Sequence, residues 1–492
     1  MPFQPIRLKF FTSKHCKWCP QVDNVVRRVV GAAFGKSVFV NTVDVDYYPE
    51  IASRYGISIL PSVMIENELV LSGGMSEDMV KDKLMQSLFG TILNRREQRS
   101  GYQAETMENL LGITRHVIDA FTKRMYIRET VGDYVHLSAI QMINISILSL
   151  DRLSRILLYE AGKNVGKYGP GQLFLYNLNP KIMKYYTVGE KFGQMLQALE
   201  KYYSNPKEIP ILVADRAMIT NIKNNVATLR LYGSALAEGV PELGEALCSY
   251  ISGEIAGLIE GILGMYADVE EIKCHGLGDP YCEFEIKLLS NEKAKTLPVE
   301  KDKSEVAIRR RRFFDTLSQL MTTHNDSLFM RTILRQRGDF VHISLLQQII
   351  SALKETDEYT AMLLYSAGFE FGRMSPKEAL SREIWKNKFS LPLSFKDAVT
   401  TVAKAFEYPT EILRRIGSFT DCKIIDDETA EITIYECCYS SGFDNRGKTY
   451  CDFSAGFIAG RLSLIYNEEA IVEETRCHGN GHTYCTFRIT IE

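Results

Sequence analysis

One set of four side chains occurs twice in this 492-residue chain, and every internal spacing is kept. The set recurs 203 residues further on, so that the eight positions are Cys248, Glu271, Cys274 and Cys282, and then Cys451, Glu474, Cys477 and Cys485. Two copies of three thiols and one carboxylate at the same spacing are difficult to obtain by chance. The repeat therefore predicts one domain used twice, with the same chemistry in each copy.

Three thiolates and one carboxylate are the donors of a closed tetrahedral zinc site, in which Zn–S distances are roughly 2.3 Å. Such a site has no open position for a substrate, so we expect each zinc ion to be structural. The alternative is a set of buried cysteines without a metal, and the duplication argues against it. His275 and His478 each follow a ligand cysteine, and we expect a role in the turn or beside the ligands for both.

Length and charge narrow the class of protein. At about 150 residues per domain, a chain of 492 residues predicts roughly three domains. The net charge of -3 gives no attraction to nucleic acid or to an anionic membrane. No apolar run is long enough to span a bilayer, and the first residues lack a signal-peptide pattern, so we expect a cytoplasmic protein. In a reducing compartment, 11 cysteines favour metal binding or redox catalysis over structural disulfides.

A second cysteine motif lies near the N-terminus, Cys16-Lys17-Trp18-Cys19-Pro20. A strand pattern precedes it and a helix pattern follows it, and this context favours thiol-disulfide chemistry. At a helix N-terminus with basic neighbours, the thiolate of Cys16 is favoured. We expect Cys16 to attack a disulfide and Cys19, one turn inside the helix, to resolve the mixed disulfide. The alternative, half of a metal site, lacks a second pair of ligands nearby.

The first 90 residues alternate strand and helix. The pattern predicts strands at 6–11, 37–45, 63–65 and 69–71, and helices after Cys19, at 48–55 and at 76–88. With the Cys-x-x-Cys motif, Pro61 in Ile59-Leu60-Pro61-Ser62, and the Gly73-Gly74 pair, this segment resembles the thioredoxin and glutaredoxin superfamily. The resemblance implies a cis-proline at Pro61, beside the active site, that contacts the backbone of the partner. The polar stretch 94–99 is the expected linker after this domain.

The rest of the chain is a duplication that extends beyond the cysteines. The segment 132–136, Gly-Asp-Tyr-Val-His, matches 338–342, Gly-Asp-Phe-Val-His. The offset is 206 here and 203 at the cysteines, so three residues are missing from the second copy between these points. The Lys- and Glu-rich stretch 291–304, which contains Pro298, is the predicted linker between the copies.

The spacing of the cysteines and the glutamate resembles the 4-vinyl reductase domain, which also serves as the sensor of bacterial activators that respond to aromatic compounds. The resemblance implies zinc at the matching residues and a small apolar or aromatic ligand between helices and sheet. It divides the chain into a thioredoxin/glutaredoxin-like domain at 1–92 and two 4-vinyl reductase domains at 100–290 and 305–492. The predicted fold class is α/β throughout. Each repeat is expected to have a helical first half, a sheet, and a zinc-stapled helix and hairpin.

One long helix and one hairpin in each repeat are predicted to supply the ligands. The helices are expected at 243–265 and 453–466, and the first hairpin at 269–274 and 281–286. Glu271 and Cys274 are an odd number of positions apart, so a regular strand would direct them to opposite faces. We therefore expect a bulge or a strand end that reorients one of them.

Further residues are candidates for function. Cys422, Cys437 and Cys438 lie outside the duplicated set, and we interpret them either as exchange partners of the N-terminal dithiol or as small buried thiols. Five aromatic side chains are candidates for lining a ligand cavity, although core packing is the default expectation. They are Tyr159, Phe174, Tyr176, Phe371 and Phe389.

These patterns lead to three hypotheses about function. The first is a redox-linked small-molecule sensor or binding protein, with a dithiol-disulfide module and two structural zinc ions per chain. The alternative is a thiol-disulfide oxidoreductase that acts on a partner, or on a tetrapyrrole or hydrocarbon held by the tandem domains. The third is a scaffold in which the redox motif is idle. We expect a protein thiol or disulfide partner and an intramolecular pseudo-dimer of the two repeats, and a homodimer is left open.

Overall fold

The computed structural model divides into two compact units, Met1–Glu105 and Thr106–Glu492. The residues that it describes are 6–33, 38–66, 68–77, 79–80, 83–84, 87–88, 127–150, 153–169, 188–204, 214–223, 225–290, 312–313, 339–356, 359–374, 393–407, 416–466 and 468–491. The predicted linkers at 94–99 and 291–304 lie outside these residues, as does much of the predicted helix at 76–88.

The first unit is a mixed sheet with helices. Its elements are β1 (Ile6–Thr12), α1 (Cys19–Ala33), β2 (Val38–Asp44), α2 (Pro49–Arg54), β3 (Ser62–Ile65) and β4 (Glu68–Ser72). The strand order is β2-β1-β3-β4, with β2 parallel to β1 and β3 antiparallel to it. The strands agree with those predicted from the sequence pattern, and the β3–β4 hairpin is present.

Alternation of apolar side chains along the strands builds the core of this unit. Phe11 on β1, Val43 on β2, Met64 on β3 and Ala52 on α2 form one buried cluster. Because side chains alternate across a strand, one face of this sheet is buried while charged neighbours such as Arg7 lie exposed. The core thereby fixes the sheet edge at which β1 ends and the Cys-x-x-Cys loop begins.

The second unit contains both copies of the repeat, with the same elements in the same order. The first copy has β5 (Tyr134–His136), α3 (Ser138–Leu150), α4 (Leu153–Tyr168), α5 (Val188–Tyr203), β6 (Arg216–Lys223), β7 (Val226–Tyr232), α6 (Ser249–Leu263), β8 (Tyr266–Lys273) and β9 (Cys282–Leu289). The second copy has β10 (Phe340–His342), α7 (Ile343–Thr356), α8 (Thr360–Met374), α9 (Phe395–Lys404), β11 (Thr420–Ile424), β12 (Thr429–Tyr435), α10 (Asp452–Ile465), β13 (Ala470–Arg476) and β14 (Tyr484–Ile491). The α/β fold class is confirmed.

Each copy has one four-stranded antiparallel sheet. The strand order is β6-β7-β9-β8 in the first copy and β11-β12-β14-β13 in the second. The predicted hairpins are β8–β9 and β13–β14. The long helices begin later than the pattern indicates in the first copy, because α6 starts at Ser249 rather than near residue 243. The amide groups of Leu243 and Gly244 instead donate to the carbonyl of Gly276 in the hairpin turn.

The two copies pair with each other. β5 and β10 form a two-stranded antiparallel ribbon in which Val135 lies opposite Val341. The flanking amides are used in the same way, because Leu137 N donates to Asp339 O and Ile343 N donates to Asp133 O, both at 2.8 Å. Helix α3 packs against α8, and α4 packs against α7. The described copies are therefore arranged as an approximate two-fold pair around the ribbon.

Glycines allow two helices of each copy to cross with their backbones in contact. A Cβ atom on Gly253 of α6 would lie 1.8 Å from the carbonyl oxygen of Tyr159 on α4, and one on Gly162 would lie 1.9 Å from that of Tyr250. No side chain fits at such a distance. The other glycines at which a Cβ would approach the facing helix backbone within 2.5 Å are Gly166, Gly257, Gly368, Gly372, Gly456 and Gly460.

The cores of the two copies differ beside this crossing. In the first copy Glu254 is buried, and the hydroxyl groups of Tyr202 and Tyr203 donate to its carboxylate at 3.3 and 3.1 Å. The matching residue in the second copy is Phe457, which packs edge-on against Phe406. A polar cluster in one copy thus corresponds to an aromatic cluster in the other.

No helix among the described residues is long and apolar enough to cross a membrane.

We expect Gly253→Ala to destabilise the second unit by roughly 1–3 kcal/mol, because the added methyl group forces the two helices apart. Gly193 on α5 is the matched control, since a Cβ there meets nothing within 4 Å. Gly193→Ala should leave stability unchanged or raise it by about 1 kcal/mol through helix propensity. Urea unfolding of the two variants measures the difference, and equal stabilities would contradict the proposed close crossing.

Burial raises the pKa of Glu254 to about 7, although hydrogen bonds from Tyr203 and Tyr202 act to lower it. As pH rises from about 4.5, the unfolded chain releases this proton first, so folding stability falls until the pH passes the folded pKa. At 1.36 kcal/mol per unit the loss is about 3 kcal/mol between pH 4.5 and 8. Glu254→Gln should remove this loss, whereas Glu473→Gln, on an exposed strand position, should retain it. Urea unfolding across this pH range, with identical slopes for both variants, would contradict the prediction.

Candidate dithiol site and metal centres

The N-terminal cysteines lie in the turn between β1 and α1. They are joined by a disulfide bond in this structure, with Cys16 partly exposed and Cys19 buried. Helix α1 begins at Cys19, so the prediction that Cys19 lies one turn inside the helix is wrong. Pro20 stands in the first turn, where its missing amide hydrogen costs nothing, and this fixes where the helix starts.

A carboxylate from the neighbouring loop holds the segment before Cys16. Asp46 accepts hydrogen bonds from the hydroxyl of Ser13 at 2.9 Å and from the amide of Lys14 at 3.1 Å. The amide of Cys16 donates in turn to the carbonyl of Ser13 at 3.1 Å. The sequence interpretation did not identify Asp46. The available signal was the parallel pairing of β1 and β2, which brings the loops that follow both strands to the same edge.

Pro61 lies at the same edge of the sheet. β3 pairs with β1 so that Ser62 is opposite Phe11, and the peptide bond between Leu60 and Pro61 is cis. Trp18 is 47% exposed and covers Gly74, where a Cβ would lie 2.8 Å from the indole ring. The predicted Cys-x-x-Cys, cis-proline and glycine elements are therefore arranged around one end of the sheet.

In the first copy, the structure brings the four predicted ligands into one cluster. Their ligand atoms all lie within 4.8 Å of one another. The Sγ atom of Cys282 is 3.5 Å from that of Cys248 and 3.9 Å from that of Cys274. Sulfur atoms that share a tetrahedral zinc at roughly 2.3 Å lie about 3.8 Å apart, so the spacing suits a metal of this kind.

The second copy repeats this geometry. The Sγ atom of Cys485 is 3.5 Å from that of Cys451 and 4.0 Å from that of Cys477. Cys248 and Cys451 each stand at the residue before the long helix, α6 or α10. The amide group of each donates at 2.8 Å to Oε2 of Glu271 or Glu474, respectively.

The predicted reorientation of the hairpin ligands is confirmed. The pairing of β8 with β9 shifts between Glu271 and Lys273, and that of β13 with β14 shifts between Glu474 and Arg476. Cys274 then follows the end of β8 and opens a short 3-10 turn. The bulge and the strand end together place a carboxylate and a thiol, three positions apart, on the same side.

The clusters concentrate groups that are costly to charge without a cation. Burial raises the pKa of the Cys248 and Cys451 thiols, and it raises the pKa of the Glu271 and Glu474 carboxyls. In both copies Oε1 of the glutamate is buried and has no hydrogen-bond partner. A buried carboxylate oxygen beside three thiols is the donor set of a metal ion, so the residues present fit one. Each cluster can therefore bind a metal.

The two histidines lie in the turns but differ in their partners. His275 Nε2 is 2.7 Å from a carboxylate oxygen of Glu238. Burial acts to lower the pKa of His275, but the hydrogen bond and the charge of Glu238 outweigh it, and the pKa is raised. Burial lowers the pKa of His478, whose Nε2 has no hydrogen-bond partner. The matching position to Glu238 is Ser441, so the second copy lacks this carboxylate.

The three cysteines outside the repeat occupy different environments. Cys437 is buried, and its Sγ is 3.5 Å from that of Cys451. Cys438 is also buried, and its amide donates to the carbonyl of Ile416 at 2.7 Å. Cys422 is partly exposed on β11, where burial raises its pKa to about 11. The closeness of Cys437 to a predicted ligand was missed from the sequence, although Ser234 stands at the matching position.

Of the five candidate cavity residues, the structure describes two. Tyr159 and Phe371 are both buried, and the Phe371 ring packs 5.7 Å from that of Phe457 and 6.1 Å from that of Phe453. These contacts agree with the default expectation of core packing. Phe174, Tyr176 and Phe389 lie outside the described residues.

Family models match three segments of the chain. Residues 6–85 match a thioredoxin domain. Residues 227–288 and 430–491 match the 4-vinyl reductase domain, and these two segments contain all of the predicted ligands. Each segment falls inside one of the domains predicted from the sequence, whose outer bounds stay predictions.

Two curated relatives come from Methanocaldococcus jannaschii, and both are uncharacterised proteins. One is 33% identical over 69 residues, which are 14% of this chain and 43% of that relative, so less than half of its length is spanned. The other is 26% identical over 159 residues, which are 32% of this chain and 79% of that relative.

Solved structures show partial likeness. A vinyl-4-reductase family protein from Methanocaldococcus jannaschii is 26% identical and has a TM-score of 0.16, covering 24% of this chain and 78% of that chain. The phenol-responsive sensory domain of the transcription activator PoxR, with phenol, is 14% identical and has a TM-score of 0.23, covering 31% and 74%. At these TM-scores the likeness supports no functional conclusion. The segment matches nevertheless agree with the fold and the two clusters: the chain carries a thioredoxin domain followed by two 4-vinyl reductase domains.

Proposed function

We propose that this protein is a redox-linked sensor in which a dithiol-disulfide module precedes two zinc-binding 4-vinyl reductase domains. The observation that carries the proposal is the repeated cluster of three buried thiols and one carboxylate in each of these domains, in a chain that also has a Cys-x-x-Cys disulfide. The thioredoxin and 4-vinyl reductase matches fit a redox or sensor role. The small apolar or aromatic ligand of the sensor is part of the proposal, and it rests on the 4-vinyl reductase match alone.

The arrangement around Cys16 supports thiol-disulfide exchange. Cys16 is the more exposed of the pair, so a partner thiol reaches it before Cys19. Attack on Cys16 opens the disulfide and leaves the Cys19 thiolate, which can later attack the mixed disulfide and release the partner. The exposed Trp18 and Pro61 border the surface on which that partner would dock.

Zinc is the metal that best fits the clusters. Thiolate with carboxylate at four tetrahedral positions is a common structural zinc set, and a closed shell gives the ion no catalytic position. When bound, zinc would supply the positive charge that offsets the buried thiolates. Cys248 and Cys451 would fasten the start of the long helix to the hairpin, which carries the other three ligands of each site.

The alternative proposal is a thiol-disulfide oxidoreductase acting on a partner or substrate held by the tandem domains. The partial exposure of Cys16 beside an exposed aromatic side chain favours a macromolecular disulfide as the reactant. Both functions require an active dithiol, whereas an idle scaffold does not.

We expect Cys16→Ser to abolish the reduction of insulin or of a mixed disulfide by the reduced protein, because the attacking sulfur is lost. Cys19→Ser should instead retain the first step and accumulate a mixed disulfide, visible as a mass increase on a non-reducing gel. Cys422→Ser is the matched control and should react as the parent does. Equal rates for Cys16→Ser and the parent would favour the scaffold.

Metal analysis of the reduced full-length protein should find about two zinc ions per chain if each cluster closes its own site. Cys274→Ser and Cys477→Ser should each retain about one, because a site that loses one of its four ligands binds weakly. The double variant should retain none. Elemental analysis of the four proteins, with Cys422→Ser as control, makes the measurement, and a metal-free parent would overturn this part of the proposal.

A further inference from the structure

The second metal cluster has a neighbouring sulfur that the first one lacks. Cys437 Sγ lies 3.5 Å from Cys451 Sγ, the same separation as between Cys451 and the ligand Cys485. Cys437 is nevertheless outside the set of four ligand atoms that lie within 4.8 Å of one another. It is thus a thiol in contact with one ligand of a site that is already complete without it.

The first copy provides an internal comparison. Ser234 stands where the second copy has Cys437, and its Oγ lies 3.7 Å from Cys248 Sγ. The four ligands and their spacing otherwise correspond between the two copies. A hydroxyl group cannot form a disulfide, so oxidation of the helix-start cysteine has a disulfide partner at this position in the second copy only.

We propose that Cys437 and Cys451 are an oxidation site, at which formation of a disulfide removes one ligand from the second metal cluster. The inference rests on the metal-binding part of the proposed function. Both sulfur atoms are fully buried, so the oxidant must be small, and we assign it to the class of hydroperoxides. This argues against direct exchange of Cys437 with the N-terminal dithiol.

The step balances with one molecule of hydrogen peroxide. The sulfur of Cys451 attacks one peroxide oxygen, the O–O bond breaks, and Cys451 becomes a sulfenic acid as the first water leaves. The sulfur of Cys437 then attacks the sulfur of Cys451, the S–O bond breaks, and the second water leaves. Two thiols give up two electrons and two protons, and the peroxide is reduced to two water molecules. Where Cys451 starts as a thiolate, hydroxide replaces one of these waters.

A competing pairing between ligands is available in both copies. Cys248 lies as close to Cys282 as Cys451 lies to Cys485, at 3.5 Å. This route would release metal from the two copies alike. Cys437 adds a second route in one copy only, and it is the thiol that a bound metal would leave uncoordinated.

The oxidation site is also next to a contact between the two copies. Glu436 precedes Cys437, and its carboxylate accepts hydrogen bonds from the amides of Thr130 at 3.0 Å and Val131 at 3.3 Å. A guanidinium nitrogen of Arg128 donates to the carbonyl of Glu436 at 3.4 Å. A movement of Cys437 toward Cys451 would therefore strain hydrogen bonds that join the second copy to the first.

The test treats the zinc-loaded full-length protein with hydrogen peroxide. A chromogenic chelator follows metal release, and peptide mass spectrometry without reduction maps the disulfides. The parent should lose one metal ion per chain several-fold faster than the other and should yield a Cys437–Cys451 linkage. Cys437→Ser should lose both ions at the slower rate. Ser234→Cys should convert the first site to the faster rate, a gain that simple loss of stability would not produce.

Cys438→Ser is the matched control, because it removes the adjacent buried thiol and should leave the two rates as in the parent. Equal release from both sites of the parent, or unchanged kinetics in Cys437→Ser, would overturn the inference while leaving the metal sites intact. Absence of metal before treatment would instead overturn the metal-binding proposal. Disulfide mapping of that same metal-free protein would still decide whether Cys437 pairs with Cys451.

Discussion

The contact between helix backbones at the glycine crossings determines where everything else in the 4-vinyl reductase domains can lie. With no side chains between them, α6 and α4 approach until the Cβ position of Gly253 would be 1.8 Å from a carbonyl oxygen. Gly253 is only five residues after Cys248, so the crossing also fixes the direction in which the helix start points. That start meets the β8–β9 hairpin, and there the ligand cluster forms. The crossing and the cluster are thus two attachments of one helix, one to its partner helix and one to the sheet.

The metal cluster has a local role in this arrangement. The core of each copy is built from apolar side chains and the glycine crossing, neither of which requires a cation. The cluster instead joins the residue before the helix to a hairpin whose register shifts at the carboxylate ligand. Three thiols and a carboxylate in a buried position repel one another when charged, so the join holds only with a cation or with protons on the ligands. The folded state of this region is therefore linked to metal availability in a way that the rest of the domain is not.

Features that the sequence predicted well are those set by short-range spacing. The eight ligands, the hairpins and the bulge follow from the positions of Cys, Glu and strand residues a few steps apart. The start of α6 was wrong for a reason that involves a distant residue. The amides of Leu243 and Gly244 donate to the carbonyl of Gly276, so they do not enter the helix even though the apolar pattern continues through them. Asp46 and Cys437 were missed for the same reason, since each gains its meaning from residues that only the tertiary fold brings near.

The two copies share a backbone but differ in side chains at matching positions. Glu254 with its tyrosines corresponds to a cluster of phenylalanines around Phe457, and Ser234 corresponds to Cys437. Because the ligand sets are the same, differences in response between the copies must come from such neighbours rather than from the metal. The first copy has a buried carboxyl that titrates near neutral pH, and the second has an additional thiol beside its ligands. If that thiol is oxidised, Glu436 would carry the change to the strand ribbon that joins the copies, because Thr130 and Val131 lie just before β5. Duplication would then have produced two sites with one architecture and two separate sensitivities.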